Sequence, residues 1–85
     1  MPYGVSMSRE VDGYIAGNVR AEIARARFEV AELSETIGVS RSSLFRKLSG
    51  DTSFSASEIV SIASALGVSP AVLIAPPTGL EPVTL

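Results

Sequence analysis

Apolar residues recur at helical spacing in the first third of the chain. Residues three and four positions apart lie one above the other on a helix, so a repeat of this kind forms a single apolar face. The pattern predicts a first helix from about Arg9 to Arg27. The residues on its apolar face are Val11, Ile15, Val19, Ile23 and Ala26.

Two short amphipathic patterns follow, separated by a few residues. The second predicted helix is about two turns long and ends at Gly38, a residue that readily takes the left-handed conformation of a helix C-cap. Ser40 is placed to cap a third helix, which ends before Gly50. The apolar residues of the second helix are Val30, Leu33 and Ile37, and those of the third are Leu44, Phe45 and Leu48.

The C-terminal half contains two more predicted helices. The fourth has Ser55 and Ser57 as candidate caps and ends at Gly67. Ser69, followed by Pro70 at the first helical position, opens a short fifth helix that the prolines after Ala75 terminate. The apolar positions of these two helices are Ile59, Ile62, Ala63, Leu66, Val72, Leu73 and Ile74.

The pattern as a whole predicts an all-α fold, a compact five-helix bundle that contains a helix-turn-helix. The expected organisation is a flexible N-terminus at residues 1–8, one domain at residues 9–75 and a C-terminal tail at residues 76–85. The apolar content of 46% against 19% charged residues favours a folded domain over a disordered chain. One small core does not need all of Val72, Ile74, Leu80, Val83 and Leu85. The two expectations are a dimer contact that involves some of them and a disordered tail.

The composition excludes most catalytic chemistry. The chain has no His, Cys or Trp, and therefore has no imidazole acid–base group, no thiol nucleophile and no His or Cys ligand for zinc. None of its segments resembles a nucleophile elbow or a phosphate-cradling loop. We expect a protein that is not an enzyme and that needs no cofactor, metal or small-molecule substrate.

The uncharged stretch from Ile59 to Leu80 is long enough to span a bilayer nominally. Serine, glycine and proline interrupt it, however, and Gly67 to Pro70 reads as a helix end followed by a new start. The N-terminus shows no basic region followed by an apolar run. The expected location is the cytoplasm, with no membrane partner.

The net charge of −2 argues against a nucleic-acid partner, but the distribution of charge argues for one. Residues 36–50 contain three basic residues and no acidic residue. At about 100° per residue, Ser42, Ser43, Arg46 and Lys47 share one face of the third helix, opposite its leucines. A helix fits the major groove of DNA, where an arginine can donate two hydrogen bonds to guanine. Without further evidence, a solvated helix face explains the same pattern equally well.

Three segments resemble the Cro/C1-type helix-turn-helix family of phage and bacterial repressors: Val19 to Glu22, Glu32 to Leu44 and Ile62 to Ser69. The most specific part is Leu-Ser-Glu-Thr-Ile-Gly-Val-Ser-Arg-Ser-Ser from Leu33, followed at the right distance by Ala-Leu-Gly-Val-Ser. The resemblance covers roughly residues 15–75. It implies a transcriptional regulator that binds double-stranded operator DNA, usually as a homodimer.

The resemblance also assigns site residues. Arg41, Ser42 and Arg46 match positions that read bases, and Ser43 matches a position nearer the DNA backbone. Lys47 is a candidate phosphate contact. The DNA-binding residues that it implies are Ser40, Arg41, Ser42, Ser43, Arg46 and Lys47.

The chain departs from the family pattern at two places. Many members cap the second helix with Thr or Ser and then use Gln to hold a phosphate, whereas this chain has Glu29 and Val30. Some members bury an Arg of the first helix against a Glu of the third, and the matching positions here are Ile23 and Leu48. An apolar pair of this kind preserves the fold. The alternative function is a regulatory protein–protein interaction module on the same scaffold, such as an antitoxin or a phage factor.

Overall fold

Five α-helices make up the computed structural model, which describes residues 3–76. The described residues contain no β-strand, so the predicted all-α, five-helix fold is confirmed. The helices are α1 (Tyr3–Ala26), α2 (Val30–Ile37), α3 (Arg41–Leu48), α4 (Ala56–Leu66) and α5 (Pro70–Ile74).

Helix α1 begins at Tyr3 rather than at the predicted Arg9. No proline interrupts the chain between these two positions, and the glycine at position 4 lies within the first turn, where a helix tolerates it. The domain boundaries at residues 8/9 and 75/76 stay predictions, and the predicted tail from residue 77 onward lies outside the described residues.

Serine caps fix the starts of three helices. The hydroxyl of Ser40 accepts a hydrogen bond from the Ser43 amide at 3.2 Å at the start of α3. At the start of α4, Ser55 and Glu58 form a reciprocal capping box, in which each side chain accepts from the other's backbone amide. Ser69 caps α5 through the Ala71 amide. These local bonds explain why the sequence predicted the starts of α3 and α5 correctly, and at α4 they select Ser55 over Ser57, the other candidate.

The core lies where all five helices meet. Its largest fully buried side chains are Leu33, Leu44, Ile62, Leu73 and Val19, so every helix contributes one of them. Five side chains that the sequence pattern assigned to apolar faces are instead exposed: Val11, Ala26, Phe45, Val72 and Ile74. These residues lie on α1, α3 and α5, and each of these helices buries a narrower stripe than the pattern predicts.

None of the helices in residues 3–76 combines the length and the apolar character that crossing a bilayer requires.

Candidate nucleic-acid interface

Helices α2 and α3 form the helix-turn-helix, and Gly38 makes the turn between them possible. Its φ of 74° lies in the left-handed region, which glycine adopts without strain. The Val39 amide then donates to the Ser34 carbonyl at 3.0 Å, closing the end of α2. Ser34 is itself buried, and its hydroxyl donates to the Ala31 carbonyl at 2.9 Å. The small side chain lets α2 pack closely against the rest of the domain.

The exposed side chains of α3 and its C-cap form one face. We call this the α3 face, and it consists of Arg41, Ser42, Phe45, Arg46 and Ser49. At about 100° per residue these five positions span an arc of about 140°. Leu44 and Leu48 are buried on the other side of the helix.

The α3 face is rotated by about 90° from the face that the sequence pattern indicates. Ser42 and Arg46 belong to both faces, and Arg41 joins them on the α3 face. Ser43 and Lys47 lie at its half-buried edge. Phe45 takes a place on the exposed side that the pattern assigned to the core. The exposed Ser40 lies just before the face, where its hydroxyl caps α3.

Lys47 is held by the protein rather than free at the surface. Its ammonium group lies 3.2 Å from Oε1 of Glu58 and donates to the Ser53 carbonyl at 3.1 Å. Its side chain retains 18% of its accessible surface. The residue therefore ties α3 to the capping box of α4 in this structure, and its predicted phosphate contact would require that ion pair to open.

The two arginines of the α3 face have no acidic partner among residues 3–76. Arg41 lies in the first turn of α3 and Arg46 in its last. A guanidinium group presents its donors in a fixed planar fork, which matches guanine or a phosphate. Within the described part of the chain, the α3 face thus offers two cations without an ion pair, with Ser42 between them.

The start of α2 has the opposite charge. A shallow depression of about 350 Å³ is lined by Glu29, Ala31, Glu32 and Glu35. Glu29 occupies the N-cap position of α2, and its side chain makes no capping hydrogen bond. Carboxylates at this end of a helix repel an anion that the free backbone amides would otherwise attract. The charge at the start of α2 is therefore unfavourable for the phosphate contact that many Cro/C1-type proteins make here.

An apolar groove of about 530 Å³ lies next to the α3 face. Phe45 and Leu48 line one side of it, and Ile23 and Ala24 of α1 line another. Arg20 also borders the groove, and its guanidinium donates a hydrogen bond to the Leu48 carbonyl at the end of α3. Sequence reasoning missed this role of Arg20, because the pattern shows only that it lies away from the apolar face of α1.

No group of three or more His, Cys, Asp or Glu side chains in residues 3–76 is arranged to hold a metal ion.

Comparison with known proteins gives one family. The model of the BetR domain matches residues 11–85. No curated protein and no solved structure matches the chain. BetR domains are small, helical, helix-turn-helix-like domains of the broad class of DNA-binding regulators. The match covers most of the chain and includes every element of the helix-turn-helix described above, so this chain belongs to the BetR domain family.

Proposed function

We propose that this chain is a sequence-specific regulator of transcription that places α3 in the major groove of double-stranded operator DNA. The observation that carries the proposal is the α3 face, on which Arg41 and Arg46 are exposed and have no acidic partner within residues 3–76. Arginine paired with the O6 and N7 atoms of guanine is the commonest specific contact in the major groove. Membership in the BetR family supports the general class.

The finer part of the proposal is a short phage or prophage repressor of the Cro/C1 type, acting in the bacterial cytoplasm without enzymatic activity. It draws its support from the resemblance in the Leu33 to Ser43 segment. Such proteins bind as homodimers to two half-sites about one helical turn apart. A single α3 face has too few cations to hold DNA alone, so we include the homodimer in the proposal.

The charges of the described residues limit how the complex is held. Arg20 and Lys47 make contacts within the protein, and the start of α2 is acidic. Even where Arg41 and Arg46 contact bases, their positive charges are then equivalent to about one or two neutralised phosphates per subunit. For a dimer this gives a slope of log affinity against log salt concentration of about −2 to −4.

The test is selection of bound duplexes from a random-sequence DNA pool by the purified full chain. We expect enrichment of a palindrome, and affinities for the palindrome and for an isolated half-site should then be measured across a salt series. Failure to enrich any sequence would contradict the proposal. Equal affinity for the palindrome and the half-site would contradict the dimer.

A second candidate function is capture of a protein partner, which the apolar groove between α1 and α3 favours. Binding of this kind would not depend on Arg41 or Arg46. DNA selection repeated with Arg41→Ala and Arg46→Ala distinguishes the two functions, because only DNA reading requires both side chains.

A further inference from the structure

Phe45 is unusual among the aromatic residues of the domain. It retains 54% of its accessible surface, and no other aromatic side chain in residues 10–76 is exposed. Aromatic side chains gain most from burial, so a phenyl ring left in water marks a place where a partner can cover it.

The position of Phe45 is inside the α3 face rather than at its rim. It follows Arg41 by four residues and precedes Ser49 by four, so these three side chains form one row along the helix. Ser42 and Arg46 form the adjacent part of the face. Any surface that meets Arg41 and Arg46 together must therefore also meet Phe45.

One side of the Phe45 ring borders the apolar groove. Phe45 lines the apolar groove together with Ile23 and Leu48, both of which belong to the core. A phenyl side chain has only two rotatable bonds, so little conformational entropy is lost when a partner covers its outer side.

The chemistry of the ring selects what it can read in DNA. A phenyl group has neither donor nor acceptor, so it cannot pair with the polar edges of guanine, adenine or cytosine, and it gains little from phosphate. The one apolar group that the major groove displays is the 5-methyl of thymine. We infer that Phe45 reads a thymine through this methyl group, on a base pair next to one contacted by Arg41 or Arg46. The inference rests on the proposed function.

The experiment uses the palindrome enriched by the full chain and replaces each thymine in turn by uracil, which removes the methyl group and keeps the base pair. We expect one position in each half-site at which the wild-type chain binds the uracil duplex about fourfold more weakly, the loss that corresponds to one buried methyl group. Because only the DNA is changed, this result does not depend on how a variant folds.

The protein side of the test is Phe45→Ala, with Phe45→Leu as a milder variant. Phe45→Ala should bind the thymine and uracil duplexes equally, whereas Phe45→Leu should keep part of the difference. Val60→Ala is the matched control, since Val60 is 56% exposed on α4, away from the α3 face. It should keep the wild-type preference for thymine.

The outcomes separate this inference from the function on which it rests. An enriched site that lacks thymine, or at which no uracil substitution weakens binding, would overturn the role of Phe45 and leave DNA reading intact. A thymine preference that persists in Phe45→Ala would overturn it as well. Failure to enrich any sequence would overturn both proposals.

Discussion

The guanidinium group of Arg20 on α1 donates a hydrogen bond to the backbone carbonyl of Leu48, the last residue of α3. The final carbonyls of a helix have no partner within the helix, and they carry the negative end of its dipole. The guanidinium group of Arg20 provides a donor for this carbonyl and a positive charge at the negative end of the dipole. It thereby fixes the C-terminal end of the helix whose other side carries the α3 face.

Replacing Arg20 by methionine removes this donor and keeps an unbranched apolar side chain. We expect a loss of about 1–2 kcal/mol in the free energy of unfolding, because a partly exposed, charge-assisted hydrogen bond is lost. Urea denaturation followed by circular dichroism measures it. Arg25→Met is the control, since the Arg25 side chain is 72% exposed in a surface pair with Glu22, and its loss should stay within about 0.5 kcal/mol. Equal losses in the two variants would contradict the role given to Arg20.

Asn18 should matter for the attachment of α5. Its amide nitrogen donates to the carbonyls of Leu73 and Ala75, both at 2.8 Å. Asn18→Ala leaves these carbonyls at the end of α5 without their donor, and we expect it to cost about 1–3 kcal/mol in urea denaturation. Asn18→Asp should cost more, because a carboxylate would face two carbonyl oxygens. Ser61→Ala, at an exposed position on α4, is the control and should be nearly neutral.

Stability should fall in acid partly through Glu58. Partial burial raises the pKa of this carboxyl, but the backbone amide of Ser55 and the ammonium group of Lys47 outweigh that effect, and the pKa lies below its ordinary value of 4.5. A carboxyl with a lowered pKa in the folded state stabilises the protein above pH 4.5 and loses that contribution as the pH falls through the folded-state pKa.

Glu58→Gln tests this dependence. The variant should lose stability at pH 7 and show a shallower decline in the free energy of unfolding between about pH 5 and pH 3. Lys47→Met removes one of the two causes and should give an intermediate slope. Parallel pH profiles for the wild type and Glu58→Gln would refute the assignment.

Ile23 and Leu48 retain 8% and 6% of their accessible surface and belong to one core cluster, which agrees with the apolar pair expected where some Cro/C1-type repressors have an ion pair. Leu48→Glu should cost about 3 kcal/mol or more, because it buries a carboxylate in that cluster. Adding Ile23→Arg should restore part of the loss. A double-mutant cycle measures the coupling, and additive effects at the two positions would argue against the alignment.

DNA binding should depend on the arginines of the α3 face. Arg46→Ala and Arg41→Ala should each weaken binding to the selected site by about 1–3 kcal/mol without changing the unfolding transition, because both side chains are exposed. Fluorescence anisotropy with a labelled duplex measures the affinity. Arg25→Ala removes an exposed charge from α1 and should change affinity little. Wild-type affinity in both α3 variants would remove α3 as the reading element.

Sequence reasoning succeeded where structure is determined locally. Ser40, Ser69 and Gly38 act on backbone groups within a few residues, so the helix boundaries they set could be predicted without knowledge of the fold. It failed for side chains whose partners lie far along the chain. Asn18 and the carbonyl of Leu73 are 55 residues apart, and only the packed bundle brings them together.

The orientation of α3 shows the same limit. Helical periodicity places Leu44, Phe45 and Leu48 on one arc, but it does not tell which neighbours cover that arc. In the bundle, Lys47 is held by Glu58 of the α4 capping box and by the Ser53 carbonyl, and a groove remains at Phe45. The orientation of the exposed face of α3 could therefore be predicted only to within about 100°, the rotation per residue of a helix.

The attachment of α5 to α1 determines when the domain can fold during synthesis. Leu73 is fully buried, and the two carbonyls to which Asn18 donates lie more than fifty residues later in the chain. During synthesis from the N-terminus, the first four helices leave the ribosome while the place of Leu73 in the core is still empty. The domain can reach its full stability only after α5 emerges, so its folding cannot be completed while α5 is still inside the ribosome.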